Sequence, residues 1–597
     1  MKRVWTRERK FSMRSNRMVK TIAPTSGLYS RPAKTDIEKL NFEFDIIFAG
    51  GGTTAGVIAG RLAAADPSLK ILILETGPGT QDDLAHTQPG RFLTHLRPDS
   101  TTVRFIDGNP SEHLNGRSLN VQCGQCVGGG SSVNFMMYTR ASASDYNDWE
   151  KVHDNPGWGF EDLLPLSKKA ETYQIAADRP THGYSGPLKR TLVDDANTMT
   201  EVNGYVRWPK WIDERSGKRS DVPHHFIYNQ QASNKNLQLL AGCSVRRIVF
   251  EHNRAVGVEY LHNTRVRPGA DDVPHIARSK RLVVVSAGAC GSPAILERSG
   301  IGAKDILEKH GIQSLVDLPG VGENYQDHTV LFVPFLTSND SDSLDGIAGN
   351  DQDEITKWTP LWLEEGKGLL ATNGIDGGVK FRPTPEELKI IGPEFEKRWT
   401  SFYSNKPDKA ISWYGCLAAF VGTVYPEAGQ KAYSMAAYLT YPAGVGSMHI
   451  TSAEDVNAPP DFDTGVFSCP EDVAVMKYLY KRCRELGRRM ACYRGDYAAG
   501  HPAFPEGSAA APQKRDRPFD IDEPDIAYSP EDEQAIEEYL KATVATAWHS
   551  IGTCAMKPRN KGGVVDARLN VYGVEGLKVA DLSICPGNVG TNTSLQL

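Results

Sequence analysis

The chain has 597 residues, 40% of them hydrophobic and 23% charged, with a formal net charge of -6. That length can bury a large core and implies more than one domain, and the composition is that of a globular protein. The mild negative charge gives no basis for a nucleic-acid partner, and the longest apolar runs, Leu282–Ala289 and Ile71–Leu74, are too short to span a bilayer.

In chain order, the first segment is basic. Up to Lys20, Lys2, Arg3, Arg7, Arg9, Lys10, Arg14, Arg17 and Lys20 face only one acid, Glu8. No apolar signal core follows, so residues 1–43 read as a disordered extension, with a mitochondrial presequence as the alternative. Phe44–Ala49 reads as a buried strand, Val57–Ala65 as a helix, and Lys70–Leu74 as a strand ending at Glu75. Leu237–Leu240, Ser244–Phe250 and Ala255–Leu261 read as strands of one hairpin layer, and Leu282–Val285 as a fully apolar strand. Glu354–Trp399 is expected to be partly helical, and Tyr433–Tyr441 and Ser447–Ser452 alternate like antiparallel strands. Ala498–Tyr528, rich in Pro, Asp and Gly, reads as a surface connection. Pro530–Ala547 reads as a helix, because Pro suits a first helical position and acids fill the first turn. Leu577–Ala580 is a last short strand before Asp581.

Cysteines are sparse and scattered, which fits no disulfide framework and suits a reduced, intracellular setting. Cys123 and Cys126 form a CxxC without a second pair at zinc spacing, so no metal site is expected.

Gly50, Gly51 and Gly52 stand between the first strand and the first helix. A backbone without side chains approaches a pyrophosphate closely, and the helix presents free N–H groups to it. Glu75, at the end of the next strand, is placed to accept hydrogen bonds from a ribose. Ala55 replaces the third glycine of GxGxxG, a position that only needs a small residue. The motif by itself does not separate FAD from NAD.

Two longer runs narrow the choice. Gly124–Asn134, with its three glycines Gly128–Gly130 and Ser131–Ser132, resembles the first signature of the glucose–methanol–choline (GMC) flavoprotein oxidoreductases, apart from Gln125. Gly288–Gly302 resembles the second signature, and Leu318–His328 is similar to the segment that follows it. Asn134–Tyr146, Arg382–Leu388, Trp548–Cys554, Asn570–Gly573 and Leu577–Ser583 resemble the fungal alcohol (methanol) oxidases within that family.

The resemblance implies an α/β fold, α+β overall. A discontinuous Rossmann-like FAD-binding domain of residues 44–157, 221–329 and 546–597 would be doubly wound around a largely parallel sheet. Residues 158–220 and 330–545 would form a substrate domain built on an antiparallel sheet and helices. It implies FAD bound by Gly50, Gly52, Thr53, Thr54, Glu75, Gly129, Ser131, Asn134, Val245 and Asp581. Val133 stands where some members carry a histidine bonded to flavin, so non-covalent FAD is expected.

His549 resembles the family's active-site base and Asn592 its partner, while Phe135, Met137 and Trp548 match positions walling a small-alcohol cavity. His224, His225 and His328 read as structural or surface residues. The implied reaction takes a proton to His549 and hydride to FAD, with oxygen reduced to hydrogen peroxide. A dehydrogenase using another acceptor, a catalytically impaired flavoprotein fragment, and more distantly an NAD enzyme stay open. Homo-oligomers and a peroxisome are implied by resemblance, although the chain ends Leu595–Leu597 without a targeting tripeptide. Two departures, the end four residues after Thr593 and the abrupt join of Pro187–Arg190 to Thr191–Asp195, suggest missing segments and an Asn592 near a frayed end.

Overall fold

A computed structural model describes residues 43–190, 202–422, 424–427 and 429–593. The basic segment before Glu43 and the run Thr191–Asp195 lie outside the described residues.

Glu43–Ala49 and Ile71–Glu75 are apolar on both faces and buried almost throughout, the pattern of interior strands in a parallel sheet. They pair in parallel register, Ile46 with Ile71 and Ala49 with Leu74. The crossover between them is the helix Thr53–Ala65, whose small residues Ala55, Gly56, Ala59, Gly60 and Ala63 let it lie close to its neighbours. Seven strands complete this sheet. Its order runs Leu237–Ala241, Ile71–Glu75, Glu43–Ala49, His275–Val285, Arg254–His262 and Cys243–Glu251. The seventh, Leu577–Val579, pairs in parallel with the last residues of His275–Val285.

One expectation is corrected here. Leu237–Ala241 is not part of the hairpin layer; it pairs in parallel with Ile71–Glu75 at the opposite edge. The hairpin is made by Cys243–Glu251 and Arg254–His262 alone, antiparallel to each other. An apolar strand carries the same pattern beside either neighbour, so periodicity does not decide between them.

A second seven-stranded sheet is antiparallel throughout. Thr329–Thr337 and Ala432–Leu439 lie at its centre, flanked by Ser412–Leu417 and Gly377–Phe381. Every residue of Ala432–Leu439 is buried, and its two faces serve different cores. Tyr433, Met435 and Ala437 pack with Val475, Met476 and Leu479 of the helix Pro470–Arg488. Ala436 and Tyr438 face the other way, with Met137, Trp413 and Ala547.

The helix Pro530–Thr543 starts as its sequence suggests. Ser529 Oγ accepts from Asp532 N and Asp532 Oδ2 accepts from Ser529 N, a reciprocal cap worth about 1 kcal/mol. It feeds the short strand Ala545–Thr546, which pairs with Thr329–Val330 and delivers the chain to His549. Among the described residues no helix is long and apolar enough to cross a membrane.

Candidate active site

Parallel strands end at one edge of a sheet, and the loops leaving that edge meet there. Ala49, Glu75, Val285 and Val579 are such ends, and Gly50–Gly52, Thr76, Ser286–Gly288 and Asp581 follow them. All of these except Gly51 and Val285, Val579 and Ala49 themselves line one cavity of about 370 Å³. The cavity reaches from Gly50 to His549 and Asn592.

Gly50 is held at φ +113°, and a Cβ there would sit 2.3 Å from the Ser286 carbonyl oxygen. Only glycine fits this approach between strand ends. Glu75 closes the turn: its carboxylate accepts from Gly51 N at 2.9 Å and Gly77 N at 2.8 Å. Burial pushes its carboxyl up to about 7 against the pull of those amides. The helix that follows has no side-chain cap and no acid in its first turn. Its N-terminal N–H groups therefore carry uncompensated positive potential.

The residues fit a phosphate-bearing cofactor on two observations. Thr54 Oγ1 is buried at the cavity wall with no hydrogen-bond partner among the described residues. A Cβ added at Gly130 or Gly288 would meet nothing within 4 Å, so both glycines border open space on the lining.

Of the residues expected at a cofactor, Gly50, Gly52, Thr53, Thr54, Glu75, Gly129, Asn134, Val245 and Asp581 all line the cavity. Ser131 is not on the lining; its hydroxyl donates to Gly128 O at 2.8 Å and holds the glycine loop. Asp581 accepts from Gly288 N at 2.8 Å and Ser292 Oγ at 2.6 Å, tying the last strand to the second glycine-rich turn. The CxxC does not act as a pair: Cys123 Sγ lies 3.5 Å from Cys290 Sγ, while Cys126 Sγ lies 3.9 Å from Gly129 O.

At the far end, His549 Nε2 is 3.3 Å from Asn592 Nδ2, and His549 Nδ1 is 2.8 Å from His328 Nδ1. His328 is completely buried, so of the structural and surface readings the surface one is corrected: it backs His549. His224 and His225 are held by Asp221 and Ser220. His328 Nε2 is 2.9 Å from the Val589 carbonyl oxygen, which only accepts. The proton of neutral His328 therefore sits on Nε2, and its Nδ1 accepts from His549 Nδ1–H. That leaves the lone pair of His549 on Nε2, facing Asn592 and the cavity. Burial first, and His328 second, hold His549 well below the ordinary imidazole value, and burial holds His328 at about 4.

Asp327 sets the pair's position. Its Oδ1 accepts from the backbone N–H of both His328 (2.7 Å) and His549 (2.9 Å), and its Oδ2 from Ser550 Oγ (2.9 Å). Burial pushes this carboxyl up to about 7, opposed by those bonds. Asn592 is likewise anchored: Thr139 Oγ1 donates to its Oδ1 at 2.9 Å and accepts from its N at 3.1 Å. This aims the amide nitrogen at His549. Composition and spacing give no sign of Asp327, His328 or Thr139; the runs Leu318–His328 and Asn134–Tyr146 were the available signal.

Phe135, Met137 and Trp548 line the same cavity, with the Phe135 and Trp548 rings 4.7 Å apart. Trp548 and Met136 both adopt left-handed backbone, at φ +62° and +56°. Each such non-glycine residue costs about 1–3 kcal/mol and persists only where its surroundings enforce it.

Residues 44–330 match the N-terminal model of the GMC oxidoreductases, and residues 442–597 the C-terminal one. The chain belongs to the GMC oxidoreductase family. It is 39% identical over 619 residues to the alcohol oxidase of Candida boidinii, covering 92% of each chain. It is 38% identical to alcohol oxidase 1 of Komagataella phaffii, again over 92% of each. An FAD-dependent oxidoreductase from Chaetomium thermophilum shares the fold, with a TM-score of 0.74 at 23% identity, over 93% of this chain and 97% of that one. This GMC oxidoreductase thus carries His549 and its glycine turns on the walls of a single cavity, with His328 buried behind His549.

Proposed function

We propose that this GMC oxidoreductase oxidises a small primary alcohol to the aldehyde in an FAD-dependent reaction, with oxygen reduced to hydrogen peroxide. The observation that carries the reading is the single cavity joining the glycine cradle to His549 and Asn592. Its likeness to proteins named alcohol oxidase supports the substrate class.

The N–H groups after Gly52, the Thr54 hydroxyl, and Glu75, Gly129, Asn134, Val245 and Asp581 would hold FAD. Val133 offers no atom for a covalent link, so the cofactor is held non-covalently. FAD bound here supplies the acceptor for the hydride leaving the carbinol carbon. His549 Nε2 takes the hydroxyl proton, and Asn592 Nδ2 donates to the developing alkoxide oxygen. Phe135, Met137 and Trp548 limit the space beside that carbon. We assign the first sheet, with residues 44–157, 221–329 and 546–597, to cofactor binding, and the second sheet to the substrate side.

Turnover of methanol, ethanol, longer alcohols and benzyl alcohol, with peroxide measured against oxygen used, tests the reading. kcat/KM falls with chain length, and one peroxide forms per oxygen. A preference for aryl alcohols or sugars, or turnover only with another acceptor, overturns it. Acid precipitation leaves the flavin in the supernatant; flavin in the pellet overturns non-covalent binding.

A further inference from the structure

The strands Arg254–His262 and His275–Val285 are joined by residues 263–274, and a histidine stands at each side of that loop. Tyr260 pairs with His275 across the antiparallel ladder, and His262 projects two residues beyond Tyr260 on the same face. The three rings gather there: His275 stacks on Tyr260 at 5.4 Å and lies 4.5 Å from His262, centroid to centroid. Asp271 returns from the loop to meet both imidazoles. Its Oδ1 is 2.8 Å from His275 Nε2 and 3.2 Å from His262 Nδ1.

A plain hydrogen-bonded cluster accounts for only half of this. Asp271 and His275 form a hydrogen bond. The His262 side chain is only 8% exposed, and although Asp271 Oδ1 lies 3.2 Å from its Nδ1, that contact lacks hydrogen-bond geometry. A neutral imidazole nitrogen aimed at a carboxylate and a second imidazole has another use, as a metal ligand.

We propose that His262 Nδ1, His275 Nε2 and the Asp271 carboxylate form a binding site for a divalent transition-metal ion of the zinc type. The three ligand atoms lie within 4.8 Å of one another. Tetrahedral zinc ligands stand about 3.3 Å apart, so side-chain rotations that close the widest spacing by at most about 1.5 Å accommodate the ion. Two nitrogens and one oxygen select zinc or nickel over calcium or magnesium, which prefer all-oxygen shells. Asp271 is 53% and His275 27% exposed at the side chain, which gives the ion an entry path and leaves its fourth position to water. Arg267 in the same loop adds positive charge near His262, which opposes the binding of a cation.

The site has a structural reach. Asn263, next to His262, donates from its side chain to Thr76 O at 2.9 Å and from its backbone to Gly242 O at 2.9 Å. Arg267 Nε donates to Ala241 O at 2.7 Å. Thr76 and Val245, beside these carbonyls, line the large cavity. An ion joining both ends of the loop to its middle stiffens the brace behind that wall.

The test is calorimetric titration of chelator-treated, full-length protein with Zn2+, with Mg2+ as control. The wild type binds one Zn2+ per chain, binds no Mg2+ at the same concentrations, and melts at a higher temperature with zinc. His275→Ala and Asp271→Asn change partly exposed side chains; each weakens Zn2+ binding at least tenfold and removes the melting shift. Circular dichroism and metal-free melting of both variants confirm that they fold. Absence of one-equivalent binding in the wild type, equal binding in the folded variants, or preference for Mg2+ overturns the proposal.

Discussion

His328 and His549, 221 residues apart in sequence, meet through their Nδ1 atoms at 2.8 Å. The Val589 carbonyl, 2.9 Å from His328 Nε2, gives this contact its direction. It consumes the donor of His328, so the proton between the rings belongs to His549 Nδ1. His549 is thereby fixed in the tautomer whose free lone pair, on Nε2, faces Asn592.

Removing that partner frees the tautomer. His328→Ala is expected to lower kcat about ten- to hundredfold, with KM for the alcohol and flavin content little changed. His549→Ala is expected to lose about a hundred- to ten-thousandfold. If His328→Ala matches the wild type in steady-state kinetics, His328 does not direct His549.

The same burial governs pH dependence. With His549 held below the ordinary imidazole value, the acid limb of kcat/KM lies below pH 6.5. For stability the sign follows from linkage. His328 falls from 6.5 when unfolded to about 4 when folded. The stability tied to its neutral form is complete above 6.5 and is lost as pH falls through 4, a change of roughly 3 kcal/mol. The stability gap between wild type and His328→Ala, measured by denaturant melts, should narrow as pH falls across that window. A gap independent of pH contradicts the assignment.

Asp327 offers a contrast between two substitutions. Asp327→Ala strands the buried N–H groups of His328 and His549, each costing about 1–3 kcal/mol. Asp327→Asn retains a carbonyl oxygen for both, while its NH2 can donate to the Ser550 hydroxyl. Melting temperature should drop markedly for the alanine variant and far less for asparagine, with kcat following the same order.

Gly52 separates cofactor binding from folding. Its backbone is extended, at φ -72°, and a Cβ there meets only Ser286 O at 3.7 Å. A Cβ at this position therefore fits the protein itself, and Gly52→Val extends a branched side chain from it at the turn that lines the cavity. The flavin-to-protein ratio after gel filtration should fall at least tenfold, while the metal- and flavin-free protein melts close to wild type. Retention of a full flavin complement would place the cofactor elsewhere.

The sequence by itself determined the strand–glycine–helix–strand unit around Gly50, the acid at Glu75 and the capped helix from Pro530. Each is written in contiguous residues: a run of apolar strand formers, glycines at a turn, proline and acids at a helix start, or a family signature. Which strand lies beside which was not written that way. Leu237–Ala241 is equally apolar in a hairpin or beside Ile71–Glu75, and only the packed sheet selects the latter. Nor does any local pattern show that His328 backs His549 or that Thr139 aims Asn592 across 453 positions. Side-chain direction at those sites comes from strand register and from hydrogen bonds to Asp327, Val589 and Thr139. These exist only once the two sheets have brought distant segments to one wall.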